Sequence, residues 1–351
     1  MLATAPLGRP GRPGRAGGGR FALRRREGEV NRNHPPDADW YPGTGAAEVP
    51  LSAPDDECIH PSPVAQPAVF DVRAPGTQTV PLVFASPHSG CAYSPAFIAA
   101  SRLDPLTLRR SEDAFIDEIF AAAPDHGAPL IRAHFPRAYV DPNRESHELD
   151  PAMFADALPD HVNSRSPRVA AGLGTVARIV ASGEEIYRDK LRWSDARRRI
   201  ETCYVPYHAA IGGLVDETRR RFGVCLLVDC HSMPSVGGPL DAEPGHPRAD
   251  FILGDCHATS CGGAVIDLAE RSLAELGYQV TRNDPYAGGF TTRHYGRPES
   301  GVHALQIEIN RGLYMDERTI ERGPGMALLI DRANRLIEGL AAIDPALLAI
   351  P

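Results

Sequence analysis

Val224-Cys225-Leu226-Leu227-Val228-Asp229, continuing into Cys230-His231-Ser232-Met233, is the stretch on which the fold turns. Its apolar run lacks the polar alternation of a half-exposed strand, which predicts a strand buried on both faces. The same texture recurs in Pro81-Leu82-Val83-Phe84-Ala85-Ser86, which runs into Pro87-His88-Ser89-Gly90, and in Val302-His303-Ala304-Leu305-Gln306-Ile307-Glu308-Ile309. Shorter strands are expected at 129–134, 138–141, around Ile252-Leu253 and at 278–282. Helical spacing over 106–123, 184–204, 206–221, 263–276 and 325–341 separates them. Strands alternating with helices predict an α/β layered domain with a largely parallel or mixed sheet.

Outward from that core the texture changes. Residues 1–66 are rich in Arg, Gly and Pro and show little periodicity, so they read as a disordered tail ahead of a folded body at 67–345. Eight Arg and two Glu give residues 1–32 a charge of +6, within a chain of net charge -8. The body is therefore acidic, which argues against nucleic acid as the main partner. No apolar run approaches the roughly 18 residues of a membrane-spanning helix. Lys190 is the only lysine, and no Gly-Lys-Ser/Thr phosphate loop exists. None of the 7 cysteines forms a C-x-x-C pair. They read as buried reduced thiols of a cytoplasmic protein.

Polar residues cluster where the apolar strands end, which is where an open α/β sheet collects its ligands. His88 ends the first strand, His231 the second, and Glu308 the last. A lone buried histidine is more often a satisfied core residue than a ligand. Two of them, each at a strand end and each followed by Ser, weigh equally for a metal pair. Two imidazoles and a carboxylate would make a catalytic zinc site with a fourth position for water. The candidate acids are Glu112 and Asp113, which are as well placed as favourable charges at a helix start. Glu148 and Asp150 are weaker candidates. Asp229 shares a strand face with His231 and is a candidate to orient it through a hydrogen bond. Arg144, after Asn143, follows the expected 138–141 strand and suits a substrate carboxylate. Arg293 lies just after Gly288-Gly289 in a loop suited to close approach of a small ligand. The chain has no H-E-x-x-H helix and no G-x-S-x-G elbow, and Cys230 and His231 point to opposite strand faces.

Taken together, Ser86–Gly90, Arg110–Asp117, Arg137–Arg144, Asp229–Ser235, Asp250–Asp255, Tyr286–Gly296 and His303–Glu317 resemble the N-formylglutamate amidohydrolase (deformylase) family. The segments run in family order and span about 67–340. The resemblance implies one three-layer α/β/α domain with a mixed sheet, similar to zinc carboxypeptidases. It also implies Zn²⁺ held by His88, Asp113 (rather than Glu112) and His231, with Glu308 as general base and acid. Asn143 and Arg144 would bind the substrate. The carboxypeptidase pattern has Glu three residues after its first His, where this chain has Cys91. The activity implied is hydrolysis of N-formyl-L-glutamate to formate and L-glutamate. The alternatives are another N-acyl amino acid or short peptide as substrate, or a non-catalytic metal or ligand binder on the same fold.

Overall fold

The computed structural model describes residues 68–238 and 244–349. The expected tail at 1–66 and Cys58 lie outside them. All described residues belong to one compact unit.

Seven strands form one mixed sheet: β1 (Phe70–Arg73), β2 (Leu82–Ser86), β3 (Leu130–Ala133), β4 (Cys225–Met233), β5 (Phe251–Gly254), β6 (Val280–Arg282) and β7 (Val302–Asn310). Their order is β1-β3-β2-β4-β7-β5-β6. The central strands β3, β2, β4 and β7 are parallel. β1 runs antiparallel to β3, and β5 antiparallel to β7 with β6 parallel beside it. The fold class is thus the α/β three-layer arrangement with a mixed sheet.

Alternation along the strands builds two cores. Leu82, Phe84, Leu226, Val228, Leu305 and Ile307 face helices α2 (Gly263–Glu275) and α4 (Met326–Ala341). Val83, Ala85, Leu227 and Ala304 face the opposite way, onto Tyr207, Ile211 and Val215 of helix α1 (Val205–Phe222). Every residue of β2, β4 and β7 is buried. Each large aliphatic side chain taken out of water in this way contributes about 1.5–3 kcal/mol. The three strands are therefore a firm base for whatever their ends carry.

The long segment between β3 and β4 departs from its periodicity. The expected strand at 138–141 is a turn, because the Tyr139 and Val140 N–H groups both donate to Pro136 O. Of the expected helix 184–204 only Trp193–Arg199 and a π turn at Ile200–Tyr204 form, leading directly into α1. Residues 184–192 spend their backbone bonds on neighbouring segments instead. Ile186 N–H reaches Arg178 O, Arg188 N–H reaches Ala100 O, and Leu191 N–H reaches Met153 O. Those bonds seat Ile186, Tyr187 and Leu191 in a third buried cluster with Phe97 and Leu108.

Cys203, Cys225, Cys230 and Cys261 are buried free thiols, as expected, whereas Cys256 is free but only half-buried. Cys91 is bonded in a disulfide, against that expectation. Among the described residues no helix is long and apolar enough to cross a membrane.

Candidate metal centre and active site

The site forms where β2, β4 and β7 deliver residues to one edge of the sheet. Pro87 stops β2 at Ser86 and leaves His88 just beyond it. β4 runs on past the expected end at Asp229 to Met233, so His231 lies inside the strand, and Glu308 lies inside β7. Their register pairs His231 with Glu308 and Asp229 with Gln306. Since neighbouring strands keep in-register side chains on the same face, all four point towards the α1 layer, opposite Val228, Cys230 and Ile307.

Asp113 reaches the histidines because the expected helix at 106–123 is broken. Helices form only at Pro105–Arg109 and Ile116–Ile119. Between them Asp113 N–H donates to His88 O (3.0 Å), and Phe115 adopts φ 66°. Helix propagation is worth only tenths of a kcal/mol per residue, far less than the charged contacts that Asp113 gains by turning inward. Its neighbour Glu112 takes another route and accepts from Arg109 Nε at 3.0 Å and Nη2 at 3.0 Å. The two adjacent acids are thereby separated, and only Asp113 joins the histidines.

The convergence is tight. Asp113 Oδ2 lies 3.2 Å from His88 Nδ1 and 3.0 Å from His231 Nδ1. The ring centroids are 4.8 Å apart. Ligand atoms of His88, Asp113 and His231 all fall within 4.8 Å of one another, and all three residues are buried. On their far sides, His88 Nε2 meets Asp141 Oδ1 at 2.8 Å and His231 Nε2 meets Asp229 Oδ2 at 2.9 Å.

Each ring therefore faces a carboxylate at both nitrogens. A neutral imidazole donates from one nitrogen and accepts at the other. Satisfying all four contacts by hydrogen bonds alone would need two buried imidazolium rings side by side. A divalent cation would resolve the conflict: both Nδ1 lone pairs and Asp113 Oδ2 could be offered to it, leaving each Nε2–H to donate outward to a carboxylate. Carboxylate behind histidine is the usual support of a metal ligand, so these side chains fit an ion. The electrostatics agree. Burial opposes a charged His231, yet Asp229 and Asp113 hold its pKa well above the ordinary range. Burial also opposes a charged Asp113, yet the two histidines hold it well below the ordinary carboxylate range.

Glu308 stands across from His231 and accepts from Gln306 Nε2 at 2.8 Å. Burial, reinforced by the Asp113 charge and opposed by His231, pushes its carboxyl up to about 7. Asn143 spends its amide inside the protein. Its Nδ2 lies 3.1 Å from His231 Nε2, and its Oδ1 accepts from Thr291 N–H at 2.8 Å. That approach requires Gly289, where a Cβ would collide with the Asn143 side chain. Arg144 is buried and donates to Leu173 O at 2.9 Å and Asn143 O at 2.7 Å. Burial brings its pKa down to about 10. Arg293 sits on helix α3 (Phe290–Tyr295) rather than in a loop; its side chain is exposed and bonds back to Gly288 O at 3.4 Å. Glu148 and Asp150 stay out of the cluster: Asp150 pairs with Arg178 at 3.2 Å.

Three neighbours escaped sequence reasoning. Asp141 backs His88, and Arg137 Nη2 bonds Asp141 Oδ2 at 2.8 Å. His208, on α1, holds the turn between them and Arg144 through Pro142 O at 2.8 Å, with Tyr295 Oη at 2.9 Å on its other nitrogen. Burial lowers its pKa to about 4, so this histidine is neutral. The signal for Asp141 and Arg137 was available, since both lie in the Arg137–Arg144 motif.

The family model described as N-formylglutamate amidohydrolase matches residues 80–315, a span containing His88, Asp113, Asn143, Arg144, Asp229, His231 and Glu308. The chain belongs to that family. It is 30% identical over 243 residues to the N-formylglutamate deformylase of Pseudomonas aeruginosa, covering 68% of this chain and 84% of the relative. It is 28% identical over 242 residues to the deformylase of Pseudomonas putida, covering 68% and 83%. Among solved structures, the N-formylglutamate amidohydrolase of Ralstonia eutropha superposes with a TM-score of 0.71 at 38% identity, over 77% of this chain and 96% of that one. A gene product of Agrobacterium tumefaciens, 18% identical with a TM-score of 0.53 over 78% and 95% of the two chains, shares the fold. This amidohydrolase thus places a buried group able to hold a metal ion at the sheet edge, inside the part of the chain that defines the family.

Proposed function

We propose that the chain is a zinc amidohydrolase that converts N-formyl-L-glutamate and water to formate and L-glutamate. The observation that carries the reading is the approach of two Nδ1 atoms to one Asp113 oxygen, with Glu308 on the adjoining strand. Zinc is preferred because imidazole and carboxylate donors suit it. When bound by His88, Asp113 and His231, it would acidify water and polarise the formyl carbonyl. The curated relatives named as deformylases support the substrate assignment.

The remaining work falls to the chain's own residues. Glu308 takes a proton from the water attacking the formyl carbon and returns it to the departing amide nitrogen. Its raised pKa suits a group that must both accept and donate near neutrality. Gln306 holds one Glu308 oxygen and so aims the other. Asp141 and Asp229 keep both rings in the tautomer with Nδ1 unprotonated. Asn143 donates from Nδ2 to Asp229, the carboxylate behind His231, and accepts at Oδ1 from Thr291 N–H, which ties that carboxylate to the start of α3.

Arg144 and Arg293 are assigned to the two substrate carboxylates. For Arg144 the support is a buried guanidinium whose nearest carboxylate, Asp141 at 3.7 Å, is already shared with His88 and Arg137. For Arg293 it is a place on the helix whose N-terminal Thr291 N–H bonds Asn143. Arg144→Lys loses the two-pronged fork that matches a carboxylate. Its expected effect is a KM raised about 10–100-fold with kcat changed only a few-fold, read by steady-state kinetics. An unchanged KM would remove Arg144 from substrate binding.

The direct test couples metal analysis of the purified protein to formate release. N-formyl-, N-acetyl- and N-succinyl-glutamate are compared, with and without chelator. About one zinc per chain, preference for the formyl compound and loss of turnover on chelation are expected. Turnover that is fastest with another acyl group would reassign the substrate, and full activity in zinc-free protein would end the zinc reading.

A further inference from the structure

We infer that Arg311 is a positioning residue that makes Asp113 a one-oxygen metal ligand. The inference rests on the metal-centre reading above. Arg311 opens a one-turn 3-10 helix, Arg311–Leu313, immediately after β7, and Asn310 Oδ1 caps that turn by accepting from Gly312 N–H at 2.9 Å. The turn throws the Arg311 side chain back under the site, where it is buried.

Its guanidinium makes four contacts there. Nη2 donates to Asp113 Oδ1 at 3.0 Å and to Glu112 O at 2.6 Å. Nη1 donates to Arg110 O at 3.2 Å, and Nε donates to Ser232 Oγ at 3.1 Å. One planar cation therefore joins the turn that carries Asp113 to β4 at the residue after His231, and both to the end of the strand that carries Glu308. Tyr314 Oη adds a bond from the same segment to Ala114 O at 3.0 Å.

The two Asp113 oxygens have divided surroundings. Among the described residues Oδ2 faces the two imidazole Nδ1 atoms. Oδ1 faces Arg311, with Arg137 Nη1 beyond it at 3.9 Å. A carboxylate free at both oxygens can bind an ion through one or through two. With Oδ1 occupied by a charge-assisted hydrogen bond, only Oδ2 is offered. That keeps the fourth position open for water and substrate, which a second carboxylate oxygen would crowd. Lysine could reach one of the four acceptors but not the set, because its ammonium lacks the planar fork.

The test titrates zinc into apo-protein against a chromophoric chelator, for wild type, Arg311→Gln, Arg311→Lys and Asp113→Asn. The visible spectra of the cobalt-loaded forms and the melting temperatures are recorded alongside. Arg311→Gln is expected to bind zinc about 10–100-fold more weakly, the range seen when a ligand's supporting partner is lost. Its cobalt band is expected to weaken as the freed Oδ1 raises the coordination number. Arg311→Lys should fall between Gln and wild type in affinity and serves as the test if the Gln variant does not fold. A purely structural arginine would lower the melting temperature and leave the cobalt spectrum alone. Wild-type affinity and spectrum in either Arg311 variant, with Asp113→Asn impaired, would overturn the inference and leave the metal centre standing. Wild-type zinc affinity in Asp113→Asn would instead bring down the metal-centre reading itself.

Discussion

Glu308→Gln is expected to bind its metal ion as wild type does and to lose about 10²–10⁴ in kcat. The loss corresponds to roughly 3–5 kcal/mol of transition-state stabilisation. The substitution is close to isosteric, and the position is anchored on both sides: Ile307 and Ile309 are fully buried in the core behind the sheet. The amide oxygen can still accept from Gln306 Nε2, so the geometry of the neighbouring residues is kept. What disappears is a group that can hold the water proton. The pH profile carries a second signature. Wild-type kcat/KM should fall on the acid side as Glu308 becomes protonated. Its carboxyl stands at about 7 by burial, and a nearby cation favours the charged form, so the limb belongs below pH 7. The Gln variant's residual activity should lack that limb. Zinc content by elemental analysis and a full pH–rate profile check both parts. Comparable kcat in the variant would remove Glu308 from the chemistry and favour a binder on the same fold.

How much of this was legible in the chain depends on how local the deciding forces are. β2, β4 and β7 were readable because burial on both faces writes a continuous apolar run, and His88, His231 and Glu308 were readable as polar residues breaking those runs. Asp229 followed from two-residue strand periodicity. Asp113 was only half legible: the periodicity of 106–123 promised a helix on whose first turn either acid would sit comfortably. The turn that separates Asp113 from Glu112 is set by His88 O and Arg311, which lie 25 and 198 residues away in the chain. Local pattern carries no trace of such partners. The same holds for 138–141, where Pro136 O collects two N–H groups and turns the chain, and for 184–192, whose hydrogen bonds go to residues around 100, 153 and 178. Asp141, Arg137 and Arg311 were present in recognisable motifs. Their roles appear only once the fold shows that His88 and Asp113 each need a second partner.

His231→Ala is expected to lose more than about 100-fold in zinc affinity, beyond the roughly 10–100-fold that loss of a mere supporting contact produces, and to show no measurable formate release. The reason is the distribution of charge. His231 is the one group between Asp113 Oδ2 at 3.0 Å and Asp229 Oδ2 at 2.9 Å. Both carboxylates are buried, and Asp229 keeps only a long 3.4 Å bond from Asn143 Nδ2 when the ring is gone. Removing one partner from a buried charged pair commonly costs about 3–5 kcal/mol, so the Ala variant should also melt lower in the absence of metal. Asp229→Asn separates the two effects. It retains the imidazole, takes away one buried charge, and should weaken zinc binding within the smaller range while keeping a measurable rate. Calorimetric zinc titration of the three proteins orders them as wild type, Asp229→Asn, His231→Ala. An Ala variant that held zinc at wild-type affinity and turned over normally would mean that the imidazole at 231 is a core histidine satisfied by two carboxylates. The crowding of acids around both rings would then need a different cation to explain it.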